Sequence, residues 1–122
     1  MFQGNAEEAM KLYVSLFSDS AAIDIVLYGP DAAGAEGSVM NASFSIGGQA
    51  FMCIDSPMKH DFSFTPAFSL FVDCESEEEI RRLSSALADG GAVLMPLGEY
   101  GFSRQFAWVN DRYGVSWQLN RA

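Results

Sequence analysis

Alternation of apolar and polar side chains is clearest near the C-terminal end. Across residues 103–120, two runs rich in aromatic and β-branched residues flank Asp111-Arg112-Tyr113-Gly114, which predicts an antiparallel hairpin. Pairing Asn110 with Val115 gives Val109–Ser116, Trp108–Trp117, Ala107–Gln118, Phe106–Leu119 and Gln105–Asn120. Successive strand side chains point to opposite faces. That register predicts one apolar face of Phe106, Trp108, Val115, Trp117 and Leu119. The reverse face holds Gln105, Ala107, Val109, Ser116, Gln118 and Asn120, small and amide-rich enough to line a cavity. A second hairpin is predicted around Gly47-Gly48, joining residues 38–46 to 49–55. With Ile46 opposite Gln49, Met40, Ala42, Phe44, Ile46, Phe51 and Cys53 share one face. Asn41, Ser43, Ser45, Ala50, Met52 and Ile54 share the other.

Helical periodicity appears twice. Ala9, Leu12, Tyr13, Leu16 and Phe17 predict a helix over about residues 5–17, with Asn5 as N-cap and Glu8 completing a capping box. Ile80, Leu83, Ala86 and Leu87 predict another, opened by Ser76 with Glu79 and stopped at Asp89-Gly90-Gly91. Further strands are predicted at residues 22–28, 67–74 and 92–95. Met1-Phe2-Gln3-Gly4 has the character of a strand end, its beginning missing or very short. A Gly/Ala/Asp-rich loop runs to Gly37, and residues 96–102 form a turn-rich connector. The order is strand, capped helix, strand, hairpin, and then the same again. This predicts an α+β domain over residues 1–122, made of two tandem βαβββ modules (pseudo-repeat 1–56 and 66–122).

Length and composition narrow the picture. A chain of 122 residues with 49% apolar and 19% charged residues is expected to form one soluble domain without metal or disulfide staples. A net charge of −9 argues against nucleic-acid or anionic-membrane partners, whose phosphates it repels. Acidity is compatible with a cationic ligand, and solubility accounts for it without one. No apolar run is long enough for a membrane span and no signal-peptide pattern precedes the fold, so a cytoplasmic location is expected. Cys53 and Cys74 fall inside predicted strands and are expected as buried free thiols.

Familiar catalytic arrangements are not in view. His60 is the sole histidine and lies in a loop beside Asp61, where solvation is its expected role. No nucleophile elbow surrounds it, which removes Ser-His-Asp chemistry. Neither cysteine has the activating base or cationic environment that a nucleophilic thiolate needs. Glu75, Glu77, Glu78 and Glu79 open a helix, where its dipole favours negative charge. No G-x-G-x-x-G occurs, and both Gly-Gly pairs have turn roles.

Three stretches carry a family resemblance: residues 2–13 (Phe-Gln-Gly-Asn-Ala-Glu-Glu-Ala-Met-Lys-Leu-Tyr), 64–72 (Phe-Thr-Pro-Ala-Phe-Ser-Leu-Phe-Val) and 108–118 (Trp-Val-Asn-Asp-Arg-Tyr-Gly-Val-Ser-Trp-Gln). With the repeated βαβββ order, they resemble the vicinal oxygen chelate superfamily of glyoxalase I, bleomycin-resistance proteins and extradiol dioxygenases. The likeness is closest to the PhnB-like branch, often labelled 3-demethylubiquinone-9 3-methyltransferase. It implies cupped sheets around a cavity and a homodimer. The metal enzymes of the superfamily carry a Gly-x-x-x-Glu-Leu motif in the last strand. Here Gly114-Val-Ser-Trp-Gln118-Leu119 has that spacing with Gln118 in place of the carboxylate, and Met52 stands four residues after Gly48. The fifth strand has no histidine. A divalent catalytic ion wants imidazole, carboxylate or thiolate donors, so no metal ligands and no cofactor are expected.

The reading is therefore a PhnB-like protein of unassigned activity that binds a small molecule in its sheet cavity without the superfamily metal. Expected contacts are Asn41, Met52, Gln105 and Gln118, with Arg104 and Tyr100 bordering the mouth. The rival readings are a metal-dependent lyase, isomerase or dioxygenase, and a structural dimer with a collapsed cavity.

Overall fold

The first helix begins where a remote carboxylate meets its free backbone donors. In the computed structural model, which describes residues 1–122, α1 (Ala6–Leu16) follows Asn5, whose side chain makes no capping bond. Asp55 Oδ1 instead accepts from the N–H of Gly4 at 2.8 Å and of Ala6 at 3.0 Å. Its Oδ2 accepts from Val39 N–H at 2.9 Å. The predicted Asn5/Glu8 box is thus replaced by a long-range cap. A fully formed carboxylate offers several acceptor sites, so one buried side chain ties helix, loop and strand together.

The chain divides into two units, Met1–Asp61 and Phe62–Ala122. In the first, β1 (Ala21–Leu27), β2 (Val39–Ile46) and β3 (Gln49–Cys53) form an antiparallel sheet in the order β1-β2-β3. Phe2 adds one parallel bridge to Asp55, so the expected first strand is present as a single residue. Ile46 faces Gln49 and Phe44 faces Phe51, as the Gly47-Gly48 turn predicts. Met40 departs from its expected core face. A register shift opposite Val26 and Leu27 places the extra residue there. Val39 is fully buried instead, and Met40 is 42% exposed. Ala6, Ala9, Met10 and Tyr13 of α1 are buried on the sheet, Phe44 stacking on Phe51 beneath them.

In the second unit, β4 (Leu70–Asp73), α2 (Glu77–Ala88), β5 (Ala92–Gly98), β6 (Gln105–Asn110) and β7 (Ser116–Arg121) give sheet order β4-β7-β6-β5. β4 runs parallel to β7, and the other pairs are antiparallel. β4 is shorter than predicted because residues 65–68 turn, with Phe68 N–H directed at Thr65 O. β5 is longer, running on through two register irregularities. The Ser76 cap forms as expected: its Oγ accepts from Glu79 N–H at 3.1 Å, while Glu79 Oε1 accepts from Glu75 N–H. Gly91 is required by close approach, since a Cβ there would lie 2.0 Å from Asn110 O. The molecule is α+β, with two helices and seven strands in a three-stranded and a four-stranded sheet.

Closure of the last hairpin differs from expectation by one residue. Asn110 pairs with Ser116, Val109 with Trp117, Trp108 with Gln118, Ala107 with Leu119, Phe106 with Asn120 and Gln105 with Arg121. Asp111 sets this register. Its N–H donates to Val115 O, so the turn holds three residues, Arg112 to Gly114, rather than four. Asp111 Oδ1 accepts from the N–H of Tyr113 and Val115, and Oδ2 accepts from Trp117 Nε1 at 2.9 Å. Gly114 closes the turn at φ +90°, a left-handed conformation that glycine adopts freely. Slipping a strand by one residue reassigns its cross-strand partners, with direct consequences for the site.

Candidate functional site

The register sorts the second sheet into two faces. Ala107, Val109, Trp117 and Leu119 are fully buried on the side where Ile80, Leu83 and Leu87 of α2 pack. Trp117 therefore belongs to the helix-side core and Trp108 does not. On the opposite side, register places Phe71, Gln118, Trp108 and Met95 in one row across β4, β7, β6 and β5. Phe71 is 58% exposed, and Gln118, Trp108 and Met95 are half-buried.

A polar chain links this row to the next. Trp108 Nε1 donates to Ser116 Oγ at 2.8 Å, and Ser116 Oγ lies 2.7 Å from Ser69 Oγ. Gln118 Nε2 donates to Ser69 Oγ at 3.2 Å. Asn110, opposite Ser116, has a buried Oδ1 with no hydrogen-bond partner. In the row beyond, Asn120 Nδ2 donates to Asp73 at 3.1 Å. Phe106 is buried there under Tyr100 and Phe102, whose rings lie 6.2 and 5.0 Å from its own.

The expected contacts separate. Gln118 sits at the centre of the face away from α2. Gln105 is on the helix side, where its Oε1 accepts from Arg121 Nε at 2.7 Å, so the one-residue slip parts the two amides. Tyr100 belongs to the ring cluster and donates its hydroxyl to Pro96 O. Arg104 is exposed beside that cluster. In the first unit Asn41 and Met52 are both exposed on one face, Met52 at 72%, with Ser43 the cross-strand partner of Met52. Ser69, Ser116 and Trp108 were not singled out by their polar chemistry. Their convergence needs the correct register and a parallel partner strand, neither of which alternation alone supplies.

Groups suited to acid–base or metal chemistry lie elsewhere. His60 is half-buried in its loop with Nε2 2.9 Å from Ser56 Oγ, rather than solvated freely. No three His, Cys, Asp or Glu side chains come together. Cys53 and Cys74 are buried free thiols. Burial raises the Cys53 pKa, and burial followed by the charge of Glu79 pushes Cys74 up to about 12. Both are therefore protonated and poorly nucleophilic near neutrality. Arg81 beside Glu77 lowers that carboxylate's pKa on an exposed helix turn.

The arrangement of strands is that of the glyoxalase/bleomycin-resistance fold. A glyoxalase/bleomycin resistance protein from Albidiferax ferrireducens T118 superposes with a TM-score of 0.62 at 16% identity, over 100% of this chain and 93% of that one. Within that class the chain belongs to the family described as 3-demethylubiquinone-9 3-methyltransferase, whose model matches residues 1–120. It is similar to the PhnB protein from Bacillus cereus, at 56% identity and a TM-score of 0.99, over 100% of this chain and 95% of that one. It also matches Protein YjdN of Escherichia coli (strain K12), 29% identical over 83 residues. That match covers 68% of this chain and 56% of YjdN, so it spans just over half of the curated relative.

Proposed function

We propose that this protein binds a small molecule on the second-sheet face away from α2, without a metal centre. The observation that carries the reading is the row Phe71–Gln118–Trp108–Met95, in which a half-buried amide is held between apolar side chains by a bond to Ser69. A few placed polar groups among rings are what a small-molecule site requires. Gln118 stands where the resemblance expects a metal-binding carboxylate. A neutral amide is a weak donor to a divalent ion, and its Nε2 is already directed at Ser69. Met52, its counterpart in the first unit, suits only soft metals. Arg104 and Tyr100 of the same unit are retained as proposed contacts, Gln105 acts instead as the anchor of Arg121, and Asn41 and Met52 belong to the first unit and are not part of this face.

Methyl transfer is not the reaction this site supports best. The β4–α2 junction reads Cys74-Glu75-Ser76-Glu77, without the glycines that admit a nucleotide-like donor at such a turn. Exposed Ile23, Val26 and Leu27 on edge strand β1, together with exposed Phe68, support assembly as a homodimer. No helix is long and apolar enough to cross a membrane. Two unpaired cysteines fit a reducing, cytoplasmic setting.

Mass spectrometry of the natively purified protein is expected to release one bound organic molecule. Light scattering on the same sample is expected to give twice the chain mass. Thermal melts with Zn, Ni, Mn and Fe salts test the rival metal-dependent lyase, isomerase or dioxygenase, because a ligand that binds only the folded state raises the melting temperature. Metal-specific stabilisation that disappears in Gln118→Ala would replace the present reading with that one.

A further inference from the structure

The hydrogen-bond inventory of this face restricts what it can hold. Trp108 Nε1 and Gln118 Nε2 are donors only, and they point at Ser116 Oγ and Ser69 Oγ respectively. The two hydroxyls are also bonded to each other. Two oxygens thus receive two N–H groups from outside, and share one of their own two protons. One hydroxyl proton is left unassigned. Ser116 is buried and Ser69 is only half-buried, so the arrangement that satisfies both has Ser116 donating to Ser69. The unassigned O–H is then that of Ser69, the less buried of the two hydroxyls. Gln118 uses its Nε2 on the protein and keeps its carbonyl oxygen to offer. The face therefore presents one donor and one acceptor side by side, with the Phe71 and Trp108 rings next to them.

We infer that the ligand group seated at Ser69 and Gln118 is an uncharged planar donor–acceptor edge, of the amide, lactam or urea class, borne on an apolar or aromatic body. This rests on the binding-face reading above and adds the ligand's chemistry. An anion supplies acceptors only and leaves the Gln118 carbonyl facing lone pairs. A cation supplies donors only and leaves the Ser69 proton without an acceptor, and an unmatched polar group out of water is costly. The nearest carboxylate on this face, Asp73, lies one row away on the edge strand. It is exposed and already bonded to Asn120, so water and Asn120 weaken its pull on a cation. The overall charge of −9 does not choose the ligand here.

Three probes of one shape separate the cases: benzamide is neutral with donor and acceptor, benzoate is an acceptor-only anion, and benzamidine is a donor-only cation. Each is titrated into the full ¹⁵N-labelled protein while the Trp108 indole N–H and the Gln118 side-chain amide are followed. Benzamide is expected to move both signals and to saturate at a concentration about tenfold below the other two, the size of one mismatched hydrogen bond. Ser69→Ala and Gln118→Leu are each expected to erase that preference, and the comparison of probes on the unaltered protein holds even if a variant misfolds. Benzoate or benzamidine moving Trp108 at an equal or lower concentration than benzamide overturns the inference, and leaves the binding face itself intact. Silence of all three also overturns it, and the co-purified molecule then judges the binding face separately.

Discussion

The two units enter their helices in different ways. In the second, four residues of β4 pair with β7 before the chain turns, and Ser76 caps α2 from its own doorstep. In the first, Phe2 makes a single parallel bridge to Asp55, and the side chain of Asp55 accepts from the N–H groups of Gly4, Ala6 and Val39. One helix start is thus a local motif. The other is a tertiary contact that forms only when residues separated by about fifty positions meet. The lesson is that a single buried carboxylate can start a helix and pin a strand at once. The cost is that helix order and sheet order become one event.

That contrast predicts a graded series. Asp55→Ala leaves three buried or half-buried backbone donors without an acceptor, each worth roughly 1–3 kcal/mol, so a loss of about 4 kcal/mol is expected in urea unfolding. Hydrogen exchange should quicken first in the first unit. A loss no larger than that of Ser76→Ala would refute the assigned role of Asp55. Ser76→Ala removes one exposed cap bond and is expected to cost about 1 kcal/mol. Its effect should be confined to amides of α2.

Comparable in size is a pH effect carried by Cys74. Its folded-state pKa lies near 12, above the ordinary thiol value of 9.0. The folded state therefore holds the proton more tightly than the open chain. Its contribution is complete below the open-chain value and is lost as pH rises toward the folded one. Between about pH 9 and about pH 11 the melting temperature should fall more steeply in the native protein than in Cys74→Ala. Parallel slopes would show that the thiol's burial does not matter. Asn5→Ala closes the series: with no side-chain cap bond to lose, a change within about 0.5 kcal/mol is expected. A deficit comparable to Ser76→Ala would mean that the box forms after all.

Much of the fold was legible in the chain. The interior periodicity of both helices, the Gly47-Gly48 hairpin and the Ser76 cap each rest on contacts between residues close in sequence, where spacing and residue type are sufficient, whereas the start of α1 does not. The family resemblance was legible as well, because the residues that carry it recur along nearly the whole chain. The candidate site was legible only in part. Gln118 could be picked out from its position in the Gly114 motif, whereas Gln105 was assigned to the same face and lies on the other.

What the sequence determined by itself was the periodicity that assigns each segment to helix or strand, and local stops and starts such as the Ser76 cap of α2. In the last hairpin only the tertiary structure decided which side chains share a face. The Asp111 carboxylate shortens the last turn by reaching Trp117, and a change of one residue in turn length exchanges the partners across the ribbon. Likewise Asp55 becomes a cap, and Ser69 a neighbour of Ser116, only when distant strands are brought side by side. Register and long-range caps are set by which groups meet in space, and spacing along the chain does not contain that information.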